Sequence, residues 1–444
     1  MTALPDRYEV RAGWMESTPL IGWLTFPREH GAQTNKEMSS PTGTQEAHHR
    51  SRKNALSEIP LFEYSPHWCE IGFSLGADLP LKLGKQKPLP GMRAFGFLKD
   101  RLPHVDLYSL LSTAALERAE GGLHPAAGKT ELGAVRMPSS AIAYGGLIFY
   151  GENVPLEASQ PVIHINDLAE LVYAWHAWER GKNSPEETAL LCAAGLSSDE
   201  RFSLTLLSDR RPVTVTLPSV NDAYDVPFWR AFGLKMAKIA GIEVVDYALE
   251  RRLGETVLKV ARFDRQNTPV RRGVDTVHAA PKLLAAASAS TLLMRFNPRT
   301  ERPYPVSYLA MADILNREGA APGVDLPKLW DRMAYTLLTN HAGDRAERWQ
   351  FIHTELGWRP APAHLLEWMP PAYGSRHATL TADGRKPLTD AEDAIALCGY
   401  FGLSSSDAKM RLMALRRALR DWEDIALADG ASPNDLTLMA ELFE

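Results

Sequence analysis

The chain has 444 residues, 45% of them hydrophobic and 11 of them tryptophan, with a formal net charge of −5 and a sequence pI near 6.3. Such a length predicts roughly two to three domains with a sizeable core. The slightly acidic balance excludes a global electrostatic drive toward nucleic acid, and the one local basic run, His48 to Lys53, sits in a polar segment.

Taken in order, Tyr8, Val10 and Ala12 alternate. After the turn Glu16-Ser17-Thr18-Pro19, the run 20–26 continues as a second strand, so the two predict a hairpin. Residues 28–58 are polar and aperiodic, which predicts a flexible insert. Residues 61–64 alternate as a short strand closed by Ser65-Pro66. A Pro-rich stretch reaches Gly91, and Phe95 opens a helical region. A helix over 107–117 and a Gly-rich loop lead to a strand ending at Arg136. Leu168, Leu171, Val172, Trp175 and Trp178 have helical spacing and predict a core-facing stripe over 168–180. Residues 202–207 and 213–217 read as paired strands. Pro227 opens a helix that Gly241 ends, and 242–244, 247–250 and 257–260 read as strands.

From about residue 280 the spacing becomes helical. The Ala/Ser-rich stretch 283–294 reads as a core helix, and a central helix starts at Asp325. Helices are also expected over 390–401, over 406–427 with Ser405 or Ser406 as N-cap, and over 434–443.

The stretch 330–371 organises the rest. An apolar run (Met333, Tyr335, Leu337, Leu338) enters a polar loop from Asn340 to Arg345. A short strand over 349–352, a turn at Leu356-Gly357-Trp358 and the segment Pro360-Ala361-Pro362-Ala363-His364 follow. Asp344 is the carboxylate of that loop. His341, His353 and His364 have no helix-borne ligand spacing. Cys69, Cys192 and Cys398 lie far apart with no Cys-x-x-Cys, which fits a reducing compartment and predicts no zinc site. No run of about 18 apolar residues and no apolar leader occur, so a cytoplasmic chain with no membrane association is expected.

These stretches resemble HipA-type serine/threonine kinases. Phe62-Glu63-Tyr64-Ser65-Pro66-His67-Trp68, Leu79-Pro80-Leu81 and Phe95 to Pro103 follow the family's F-x-Y-x-P-x-W, L-P-L and F-x-x-L-x-D-x-x-P. Gly133-Ala134-Val135-Arg136 matches G-A-x-R, and Arg262-Phe263-Asp264-Arg265 matches R-F-D-R. Taken alone, that last tetrad reads as a structural ion pair.

The resemblance implies an α+β, protein-kinase-like fold with a β-rich N-terminal part and an all-helical C-terminal lobe. It divides the chain into an N-terminal subdomain (1–137, containing the insert), a kinase-like N-lobe (138–277) and a helical C-lobe (278–444).

The residues that carry phosphoryl transfer in the family are replaced. Glycines in a phosphate-holding loop let backbone N–H groups approach phosphate. Here that loop reads Ala193 to Phe202, with Ser197-Ser198 in place of the glycine pair and two acids after them. Thr216 stands where the family has its phosphate-binding Lys, and Arg230 where it has the Glu that pairs with that Lys. The catalytic Asp falls on Ala342 or Gly343. The metal-binding Asn falls on Arg348, and the metal-binding Asp on Leu365. Asp344 is the remaining candidate for a catalytic base.

Phosphoryl transfer rests on positioning and charge neutralisation, so the combined losses imply a pseudokinase without ATP, magnesium or other cofactor. Such a chain is expected to act as a protein-binding or regulatory subunit, toxin–antitoxin-like or defence-related and bacterial. Its expected partner is a kinase paralogue, an antitoxin-like protein or a translation factor, with no direct nucleic-acid contact. The alternative is an active ATP- and magnesium-dependent serine/threonine kinase that uses Asp344 as base and Glu347 or Glu367 at the metal.

Overall fold

The computed structural model describes residues 7–27, 59–100, 145–151, 154–155, 168–193, 195–196, 203–208, 211–266, 269–272, 275–278, 282–297, 299, 302–303, 306–339, 344–370, 373, 380–384, 388 and 390–443. The expected insert 28–58, the helix 107–117, the strand ending at Arg136 and the pair Ser197-Ser198 lie outside these residues.

Alternation builds the first sheet. In β1 (Arg7–Ala12) Tyr8, Val10 and Ala12 are the buried residues, as period two requires. β1 pairs with β2 (Leu20–Thr25) as the expected hairpin, and β3 (Leu61–Tyr64), β4 (Leu147–Gly151) and β5 (Val154–Pro155) complete an antiparallel sheet in the order β3-β2-β1-β4-β5. Ser65 opens α1 (Pro66–Ile71). Its hydroxyl accepts from the Trp68 N–H at 3.1 Å and donates to the Leu20 carbonyl at 2.7 Å, so one side chain caps the helix and ties it to the sheet. Trp68, Phe62, Tyr64 and Phe95 form the core beneath that sheet.

α2 (Leu168–Glu179) buries Leu168, Leu171, Val172 and Trp175, the stripe expected from their spacing. α3 (Pro185–Ala193) follows it. A second antiparallel sheet then runs β6-β7-β8-β10-β9, formed by Gly195–Leu196, Ser203–Ser208, Arg211–Thr216, Glu255–Ala261 and Tyr247–Arg252 respectively. α4 (Val226–Ile239) packs on it. Asp225 caps α4 by accepting from the Phe228 N–H at 3.0 Å, Pro227 occupies the first turn, and Gly241 at φ 84° turns the chain out, a conformation that favours glycine. Residues 242–244, expected as a strand, form a single bridge between Val244 and Ala363, with the Ala363 N–H donating to the Glu243 carbonyl and the Val245 N–H to the Ala363 carbonyl.

The C-terminal part differs from an all-helical lobe. Residues 283–294 form no single helix: Ala285–Ser288 (β11) pairs with Gln350–Thr354 (β12), which pairs in turn with Gly357–Pro360 (β13). Ser288 then caps the short α5 (Ala289–Leu293) by accepting from the Thr291 N–H at 3.1 Å. Ala and Ser have helical composition, but the partner strand, 62 or more residues away in sequence, decides the conformation.

α6 (Tyr308–Glu318) and the central α7 (Pro322–Leu338) follow, with α8 (Ala391–Ala396), α9 (Ser405–Leu419), α10 (Trp422–Ala428) and α11 (Pro433–Ala440). The cap of α9 is Ser404, in a reciprocal box with Asp407, rather than Ser405 or Ser406. The helix expected over 406–427 breaks at 420–421, and Trp422 enters a cluster with Trp229 and Trp368 at ring separations of 6.2 and 5.6 Å. Fold class is thus α+β, mainly helical toward the C-terminus with a three-stranded sheet among the helices.

Candidate functional site

β8 ends at Thr216, α4 presents Arg230, and segment 364–368 crosses between the second sheet and the helices. That crossing is close: a Cβ on Gly233 of α4 would stand 1.9 Å from the Leu366 carbonyl oxygen. Gly233→Ala is therefore expected to lower stability by at least about 1–3 kcal/mol, the cost of overpacking, read as a lower midpoint in thermal or urea unfolding. The same segment is held through Tyr335 of α7, whose hydroxyl donates to the Gly233 carbonyl at 2.8 Å and accepts from Trp368 Nε1 at 3.1 Å.

Glu367 follows Leu366 into the space beneath β8. Arg230 Nη2 donates to Glu367 Oε2 at 3.2 Å, and its Nη1 donates to Thr216 Oγ1 at 3.3 Å. Arg348 Nη2 lies 3.9 Å from the same Glu367 oxygen. Arg230, Arg348 and Glu367 are 4%, 6% and 2% exposed, so two guanidiniums share one carboxylate away from solvent. Leu365 and His364 line the same space, and the His364 ring lies 4.8 Å from that of Phe263. Among the described residues, the opening between Thr216, Arg230, Leu258, Val260 and segment 364–367 is about 20 Å³, little more than one water molecule needs.

Thr216, Arg230, Arg348 and Leu365, far apart in the chain, are thus brought together. Glu367 is the residue that sequence reasoning undervalued, having entered only as an alternative metal holder. Its signal was an acid within the apolar run Leu365-Leu366-Glu367-Trp368-Met369; a carboxylate so placed is buried only with a partner.

Asp344 lies under α6 and α7, within range of the Arg348 charge. Its Oδ1 accepts from Trp349 Nε1 at 2.5 Å and its Oδ2 from the Tyr308 hydroxyl, and it is 2% exposed. Burial raises its pKa, against the hydrogen bond from Tyr308 and the nearby Arg332 charge, which favour the ionised form. Burial also raises the Tyr308 hydroxyl well above its usual range, with Asp344 adding to the effect. Arg345, next to it, is exposed, while Glu347 is exposed on the short helical turn Ala346–Arg348. Among the described residues no group of three or more His, Cys, Asp or Glu is placed to hold a metal ion.

Residues 221–422 match the family of HipA-like C-terminal domains. That stretch is a HipA-like C-terminal domain. Across the whole chain the fold is shared with a solved structure from Shewanella oneidensis MR-1, that of the toxin–antitoxin system HipA with HipB and its operator DNA. That likeness covers 98% of this chain and 96% of that one at a TM-score of 0.59 and 15% identity, and it shows the fold alone. The Helicobacter pylori proinflammatory kinase CtkA is similar over 55% of this chain and 90% of its own, with a TM-score of 0.31 and 10% identity, too weak to carry an argument. No curated protein matches. The Shewanella structure contains DNA, so it lends no support to the expectation of no direct nucleic-acid contact. Among the described residues no helix is long and apolar enough to cross a membrane.

Proposed function

We propose that this chain is a HipA-like pseudokinase, a protein-binding or regulatory subunit of a toxin–antitoxin-like or defence-related system. The observation that carries the reading is the buried Arg230–Glu367 pair with Arg348 beside it. A kinase cleft needs a cation on the strand to meet phosphate and an acid on the helix to hold that cation. Here the strand position is the neutral Thr216, the helix position is the cation, and the acid comes from the segment that would have to supply a metal ligand. The ion pair lies across the space where the nucleotide's phosphates and metal would meet. The donor set does not suit a magnesium-bound triphosphate: Leu365 offers no oxygen side chain, and Arg348 repels a cation.

Asp344 bears on the alternative, an active serine/threonine kinase. A general base must reach a substrate hydroxyl within hydrogen-bond distance. Asp344 is buried and accepts from Tyr308 and Trp349 instead, so its geometry favours a structural role. By analogy with the Shewanella assembly, the expected partner is a HipB-like antitoxin protein.

The test is thermal unfolding of the purified chain with ATP and magnesium titrated to millimolar. No rise in Tm is expected. A ligand at about 100 times its Kd stabilises the folded state by roughly 2.7 kcal/mol, so a saturable, magnesium-dependent rise would overturn the reading and return the chain to the kinases.

A further inference from the structure

A separate cavity of about 360 Å³ opens between α7, the turn at 241–243 and the strand end 359–363. Its size is at the lower end of the range that holds small molecules, roughly 300–1,000 Å³. Ile242, Leu329, Ile352, Trp349, Pro360 and Ala363 make its walls largely apolar.

Into these walls comes one charged group that no acid hydrogen-bonds, although the buried Asp344 lies near enough to favour its charged form. Arg332 is 5% exposed and lies with its guanidinium carbon 3.9 Å from the Trp349 ring centroid. Among the described residues it makes no hydrogen bond and no ion pair, and its Nε is fully buried with nothing to accept from it. Burial lowers its pKa to about 10, so it stays charged at neutral pH. The other charges at the cavity are already matched. Lys328 pairs with Glu243 at 2.9 Å, Arg359 forms two hydrogen bonds to Asp325 at 2.7 and 2.9 Å, and Asp331 pairs with Arg411 at 2.6 Å. A buried guanidinium Nε that meets no acceptor is costly. Folding has left that cost in place at the wall of a cavity.

We propose that this cavity binds a small organic monocarboxylate, its apolar body against the cavity walls and its carboxylate on the Arg332 guanidinium. The planar fork of Arg matches two carboxylate oxygens. The acids Glu243, Asp325 and Asp331 line the same cavity and disfavour a ligand with several negative charges, which separates this class from nucleotides and polyphosphates. The proposal is independent of whether the kinase cleft is functional, since none of the cleft residues lines this cavity.

The test titrates the full chain with benzoate, with neutral benzamide and with inorganic phosphate at matched ionic strength, reading Tm. Benzoate is expected to give a saturable rise, with neither control doing so, and Arg332→Met is expected to abolish it. No rise with benzoate overturns the proposal. So does an equal rise with benzamide, which would mean apolar filling alone, or with phosphate, which would mean a bare anion site. Should Arg332→Met not fold, crystals soaked in 4-bromobenzoate locate the ligand in the unaltered protein. A bromine anomalous peak beside Arg332 supports the site, and a peak elsewhere or none refutes it.

Discussion

Glu367→Ala is expected to destabilise the fold by about 3–5 kcal/mol, while replacing Arg230 and Glu367 together by Met recovers most of that loss. The asymmetry follows from burial. Arg230 and Glu367 have side chains only 5% and 3% exposed, so removing the carboxylate leaves a guanidinium facing Thr216 in a site that water barely enters. Arg348, 3.9 Å from the same oxygen, adds like-charge repulsion once the acid is gone. Removing both members also removes the desolvation cost that each carried. Urea unfolding of Arg230→Met, Glu367→Met and the variant carrying both forms a cycle that isolates the coupling. If the double variant loses the sum of the single losses, the pair is not the unit described, and the cleft is held shut by something else. A recovered double variant that still fails to bind ATP would show that shape, as well as charge, has closed the cleft.

How much of this was readable beforehand divides along a physical line. Local patterns were legible. Period two gave the hairpin of β1 and β2, the stripe from Leu168 predicted α2, and Pro227 and Gly241 bracketed α4 nearly to the residue. Residues whose conformation is set by distant partners were not. Ala285–Ser288 is helical by composition and a strand by pairing with Gln350–His353. The replacement of Glu by Arg230 was visible as a charge reversal, but its carboxylate partner lies 137 residues away, and nothing in local spacing links them. Asp344 read as a loop acid and the candidate base, because a sequence does not show Tyr308 and Trp349 donating to it. Arg332 sat inside an amphipathic helix and gave no signal at all; its meaning comes from the cavity it meets.

Asp264→Asn is expected to cost about 3–5 kcal/mol, with the loss shrinking at low pH. Asp264 is fully buried, and among the described residues its carboxylate accepts from Arg262, Arg265 and the Gly145 backbone. Arg262 donates twice, at 2.9 and 2.6 Å; Arg265 donates at 2.7 Å, and the Gly145 N–H at 2.7 Å. Arg265 closes the ring by donating to the Gly145 carbonyl at 3.0 Å. The carboxylate therefore fastens the chain just before β4 to the end of β10, joining the first sheet to the second. Asn keeps the shape but removes the charge that both guanidiniums face. Burial alone would raise the Asp264 pKa, yet Arg262 and Arg265 more than offset it and hold it below the ordinary value. An acid with a depressed folded pKa stabilises the fold above its unfolded pKa, near 3.9, and that contribution is lost as pH falls through the folded value. Unfolding free energies of wild type and variant should thus be furthest apart at neutral pH and converge in strong acid. A constant difference across pH would mean that shape, not charge, carries the effect, and a neutral-pH loss under 1 kcal/mol would refute the joint itself. The motif that resembles active kinases most closely, Arg262 to Arg265, is by this account a structural joint. On the proposed pseudokinase reading, a joint of this kind is expected to stay while the cleft residues change.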